Sequence, residues 1–250
     1  MISRTSNPAL NKKTFTSLRG VSTADNQVMT IQGTVSKTGI LLFLAFISAS
    51  WTWKQFFFFE NPAVSTYITI GLIGGLIAAM VGIFRPQSAP IAAPIYAVFE
   101  GLFLGGISSI FEMRFPGIVI QAVGLTFGTL LALLFAYKSS IIKPTENFKL
   151  GVAAATGGIF FMYMASFILG FFGIAIPFIH GSGLFGIGIS AVIVVIAALN
   201  LVLDFDFIEQ GAEDGAPKFM EWRAALGLMI TLVWLYIEIL HLLSKLRGRD

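Results

Sequence analysis

The sequence contains no cysteine. That absence removes a disulfide framework, a thiolate metal site and a cysteine nucleophile, and it leaves the redox compartment undetermined. Charge is scarce as well: Asp, Glu, Lys and Arg make up only 12% of the 250 residues. The net charge of +3 and pI near 9.2 raise the question of nucleic acid, but the lysines and arginines are scattered over connections and ends instead of forming a stripe, so no nucleic-acid partner is implied. Histidine is limited to His180 and His241, widely separated, which is too few ligands for zinc. No apolar core of a secretory signal opens the chain.

What is abundant is apolar surface. Hydrophobic residues make up 56% of the chain and the mean hydropathy is +0.85, well outside the balance of a water-soluble domain. A soluble fold of this size has too little interior to hide that much apolar surface, whereas a bilayer solvates it. The apolar residues fall in blocks of roughly 20, the length that spans about 30 Å of hydrocarbon. The blocks lie at 39–59, 64–84, 91–111, 117–137, 149–173, 184–203 and 222–243. Breakers separate them: Asn61-Pro62, Arg85-Pro86, Pro116-Gly117, Lys143-Pro144, Pro177, and the run from Gly211 to Pro217.

The pattern predicts an all-α polytopic membrane helix bundle of seven hydrophobic segments, with the lipid bilayer as its first partner. Residues 1–37, polar and with Arg4, Lys12, Lys13 and Arg19, read as a disordered tail; 38–246 form the seven-helix transmembrane domain; 247–250 are a basic end.

Positive residues in short connections are held on the cytoplasmic side. With a cytoplasmic N-terminus, the inner segments carry Lys37, Arg85, Lys138, Lys143, Lys149, Lys218 and Arg223 besides the tail, and the outer loops only Lys54 and Arg114. Lys245, Arg247 and Arg249 break this pattern if the last segment spans, so a re-entrant last segment is the alternative and the side of the C-terminus stays open. Small-xxx-small glycine pairs, Gly71/Gly75, Gly101/Gly105 and Gly124/Gly128, predict close helix packing, which lipid-embedded helices need because hydrophobicity does not drive them together. Trp51, Trp53, Trp222 and Trp234 read as interface anchors or packing.

An ionisable residue well inside a membrane helix costs about 2.5–3.5 kcal/mol on insertion scales, so each is a site candidate. Glu100 lies near the middle of the third block and Glu238 deep in the seventh. Asp204, Asp206 and Glu209 close the sixth, where Asp206 and Glu209 read more simply as a wet helix end. Serine catalysis needs a buried serine beside a histidine. Ser109 and Ser190 sit among glycines, which is ordinary helix packing in a membrane, so an enzyme is not expected and no cofactor is implied.

Three stretches, EGLFLGGIS at 100–108, LDFDFI at 203–208 and WLYIEILHLL at 234–243, resemble the Bax inhibitor-1 family, specifically its bacterial YccA-like members, over about residues 36–246. The resemblance implies a bacterial plasma-membrane protein with a cytoplasmic N-terminus and a pH-sensitive calcium leak gated by a carboxyl pair. By motif that pair is Asp204 and Glu238, which would also line the path of calcium ions and protons. Arg85 matches a basic residue that pairs with the acidic site in one state, and Glu100 and Asp206 are accessory acids. Glu238 stands where calcium-leak relatives resemble Asp, and the connection between the pair is longer here. Two carboxyls held close in a low-dielectric interior cannot both ionise cheaply, so such a pair shares a proton and can switch helix–helix attraction. The alternative from the same resemblance is a non-conducting scaffold that modulates other membrane proteins in quality control or stress response.

Overall fold

The computed structural model describes residues 28–173 and 183–248. Seven long helices lie among them: α1 (Ile31–Phe57), α2 (Val64–Phe84), α3 (Ala89–Arg114), α4 (Ile118–Lys138), α5 (Glu146–Phe171), α6 (Leu184–Glu213) and α7 (Met220–Arg247). All seven are long and apolar enough to cross a membrane. Even the 21-residue α2 and α4 reach about 31 Å at 1.5 Å per residue. Large side chains such as Phe46, Phe84, Phe135 and Phe161 are 69%, 74%, 70% and 70% exposed, tolerable in lipid and a liability in water. The protein is an all-α polytopic helix bundle, and an integral membrane protein.

The helix ends depart from the apolar blocks. α1 begins at Ile31, inside the stretch expected as tail, because Thr30 caps it: its side chain accepts the Gly33 N–H. The remainder of that tail, residues 1–27, lies outside the described residues. α6 runs to Glu213, ten residues beyond the predicted 203, so Asp204, Asp206 and Glu209 stand within a helix and not at its end. α7 is unbroken from Met220 to Arg247, without the turn that a re-entrant segment requires. Glycines make two of the connections. Gly117 (φ +81°) turns the chain into α4 and Gly215 (φ +64°) turns it out of α6, a backbone region that side chains disfavour.

The described residues divide into two compact units. The first holds α4, α5, α6 up to Phe205 and α7 from Thr231. Its helices are tied by a few polar contacts among apolar ones: Asn200 Nδ2 donates to Thr156 Oγ1 at 2.8 Å, and the rings of Tyr137 and Phe205 meet at 5.8 Å. The second unit holds α1, α2, α3, the last turns of α6 and the first turns of α7. Here α3 packs on α1 and α2 through glycine. A Cβ on Gly71 would sit 2.7 Å from the backbone of Phe99 and Phe103, and one on Gly105 would sit 2.8 Å from Ala49 Cα. Ser48 Oγ donates to Val98 O at 2.7 Å across the α1–α3 seam. Gly124 and Gly128 differ. A Cβ on either meets nothing within 4 Å, so this pair is not a packing seam of the kind its spacing predicts.

Candidate functional site

Glu238 projects from the second half of α7 in the first unit and is 4% exposed. Its Oε1 accepts from Tyr163 Oη of α5 at 2.8 Å and from Trp234 Nε1, one turn earlier on α7, at 3.1 Å. Trp234 is thus a hydrogen-bond donor to the buried acid and not simply an interface anchor, and nothing local in the sequence points to Tyr163. Seven residues further along, Lys245 Nζ donates to Ser190 Oγ at 2.7 Å and Gly186 O at 3.4 Å near the start of α6.

Asp204, fully buried on α6, belongs to the same unit. Two ties within that unit give its height relative to Glu238. Lys245 is level with Ser190, so counting along the antiparallel helices places Glu238 near residue 197 and Asp204 about 10 Å further on. Asn200 is level with Thr156 and Tyr163 with Glu238, which gives a stagger of about 16 Å. Counted this way, the two buried residues stand at different heights along the helices of the first unit.

The accessory residues fall in the second unit. Glu100, on α3, is buried; Tyr96 one turn earlier hydrogen-bonds it, and Glu100 Oε2 lies 3.0 Å from where a Cβ on Gly75 would be. Asp206 is half-buried and accepts from Gln210 Nε2 at 2.5 Å, while Glu209 is exposed. Arg85 is exposed at the C-cap of α2. The arginine buried at that helix end is Arg223, which counts among the loop charges in the sequence pattern. Its Nη1 donates to Gly82 O at 3.3 Å and Ile83 O at 2.5 Å, filling carbonyls that the end of α2 leaves open. The other residue that sequence reasoning misses is Glu221, fully buried between Thr30, Lys37 and Lys218.

Among the described residues no group of three or more His, Cys, Asp or Glu side chains is placed to hold a metal ion. Of the serines considered for catalysis, Ser109 Oγ donates to Gly105 O in its own helix and Ser190 is engaged by Lys245. His241 is exposed, and His180 lies outside the described residues.

Seven apolar helices with a buried acid deep in the last invite comparison with known membrane families. The family model described as Bax inhibitor 1 like matches residues 7–248. The chain belongs to the Bax inhibitor 1 like family. No curated protein and no solved structure matches it. In this Bax inhibitor 1 like chain, the motif residues Asp204 and Glu238 lie in one unit, and Arg85, Glu100 and Asp206 in the other.

Proposed function

We propose that the protein is a pH-responsive leak pathway for cations, calcium among them, in a bacterial plasma membrane, with its N-terminus cytoplasmic and with Asp204 and Glu238 as two carboxyl stations of the path. The observation that carries this reading is the environment of Glu238. Two buried glutamates in the same helix are held in opposite ways. Glu221 sits between two lysines, which fix its charge. Glu238 takes its hydrogen bonds from the neutral groups of Tyr163 and Trp234. A buried carboxyl whose one cation, Lys245, acts on it without a hydrogen bond changes protonation with pH more readily than one held by two, and each change alters the attraction between α7 and its neighbours.

Calcium prefers several oxygen ligands at once, so single staggered carboxyls suit transit better than storage. The test is calcium flux into liposomes containing the purified protein at several pH values, wild type against Glu238→Gln. Flux that responds to pH in the wild type and loses that response in the variant is the expected result. Flux that keeps the wild-type pH response in Glu238→Gln refutes Glu238 as the sensor. No flux at any pH refutes the leak and favours the non-conducting scaffold acting in membrane protein quality control or stress response.

A further inference from the structure

The chain enters α1 through a short strap fastened to the connection between α6 and α7. Val28 pairs with Pro217 in an antiparallel bridge, and Met29 N–H donates to Ala216 O at 2.7 Å, with the Met29 side chain 1% exposed. Thr30 gives both its N–H and its hydroxyl to Glu221 Oε1, each at 2.9 Å, while its own oxygen caps α1. Lys37, about two helical turns further on, bonds the other Glu221 oxygen and lies 5.6 Å over the Trp222 ring. Lys218 completes the knot at 2.9 Å from Oε1. Gly33 leaves the room that the carboxylate occupies: a Cβ there would overlap Oε1. Every part of the knot lies in the second unit.

What the strap grips is the segment joining the helix of Asp204 to the helix of Glu238. A three-residue strap held by a handful of bonds around one carboxylate can open locally without unfolding its helices. In the strapped state Asp204 and Glu238 are 0% and 4% exposed, so both side chains are shut off from bulk solvent.

We infer that residues 28–30 and Glu221 form a latch on the leak: engaged, the strap holds the α6–α7 connection in the non-conducting arrangement, and released, it lets the path open. This rests on the leak proposed above. The cysteine-free chain allows a direct test. Bridged antiparallel residues have Cα atoms about 4.5–5.5 Å apart, within disulfide range, so Val28→Cys with Pro217→Cys can lock the strap.

In Glu221→Gln, amide hydrogen exchange over residues 28–38 should rise about tenfold. Calcium flux into liposomes at a fixed pH should rise about threefold or more. Oxidising the cysteine pair in the Glu221→Gln background should return flux to the wild-type level, and reduction should release it again. Thr30→Val, which removes the hydroxyl's bond to Glu221 and its cap on Gly33 but no charge, should show a smaller rise of both signals and serves if Glu221→Gln does not fold. Unchanged exchange over the strap in both variants overturns the latch. So does faster exchange with flux that neither variant nor cross-link alters, which leaves the leak reading standing. Wild-type liposomes without flux overturn the leak reading itself, and with it any gating role for the strap.

Discussion

A methyl group placed on Gly101 or Gly105 tests how closely α3 and α1 approach. At Gly101 the new Cβ would lie 2.7 Å from Ser48 Cβ and 3.0 Å from Ala45 Cα, and would overlap the Ala45 carbonyl oxygen. At Gly105 it would lie 2.8 Å from Ala49 Cα and 2.9 Å from Thr52 Cβ. Carbon atoms in good contact are about 3.5–4.0 Å apart, so each site is short by close to 1 Å, and most of the opposing atoms are backbone that cannot rotate aside. The helices must separate. Overpacking of this kind costs about 1–3 kcal/mol per site. Separation also stretches the Ser48–Val98 hydrogen bond across the same seam, now 2.7 Å, worth about 0.6 kcal/mol in a membrane bundle. Against this, alanine favours the helix over glycine by about 1 kcal/mol.

The net expectation is a loss of about 0.5–2.5 kcal/mol for Gly101→Ala or Gly105→Ala. The double variant should cost less than the sum, because one displacement of α1 relieves both clashes. Gly124→Ala and Gly128→Ala in α4 are the controls: with nothing within 4 Å of the new Cβ, only the propensity gain remains, up to about 1 kcal/mol. Thermal unfolding in nanodiscs, followed by tryptophan fluorescence, reads all four. The α3 variants should melt below the wild type and the α4 variants at or above it. If Gly101→Ala and Gly105→Ala melt with the wild type, the seam is not as tight as the distances imply and the reasoning from close approach fails.

Two more substitutions probe the buried polar contacts. Arg223→Met removes a charged donor from the Gly82 and Ile83 carbonyls and should destabilise the protein by about 1.5–3 kcal/mol in the same melt, while a wild-type midpoint would show that those carbonyls find other donors. Tyr163→Phe removes one of the two donors to Glu238 and should cost about 1–3 kcal/mol, falling toward zero in a Glu238→Leu background; an equal cost in both backgrounds would mean that the hydroxyl acts elsewhere.

The seven-helix architecture is legible because a bilayer demands a local pattern: each span is one uninterrupted apolar run, and the second is read at its observed bounds, 64–84. The ends are less legible. The first two turns of α1, IQGTVSK, are polar and read as tail, yet they are helical because Thr30 caps them and Glu221, far along the chain, takes Thr30 and Lys37. The end of α6 reads as a stop at its acids, but Phe205, Phe207 and Ile208 are buried and the Asp206–Gln210 bond spans one turn, so the helix continues. Glycine spacing is a weaker guide than glycine surroundings, as the difference between Gly105 and Gly124 makes plain.

Charges are misread for a more general reason: a hydropathy window prices a charge but does not see its partner. Glu238 stands out only because it interrupts an apolar run. Glu221 and Arg223, in a polar stretch, look like solvated flanks, although both are buried and their partners lie 191 and 141 residues away in the chain. The same blindness distorts the charge count at the C-terminal end. Lys245 donates to Ser190 and Gly186, and Arg247 donates to Gln121 at 2.9 Å, all within the first unit. A half-buried cation hydrogen-bonded to a neighbouring helix weighs less in the lysine and arginine bias than one facing the membrane surface. Lys245 and Arg247 therefore argue only weakly against a spanning α7, and the conflict that made a re-entrant segment attractive loses most of its force.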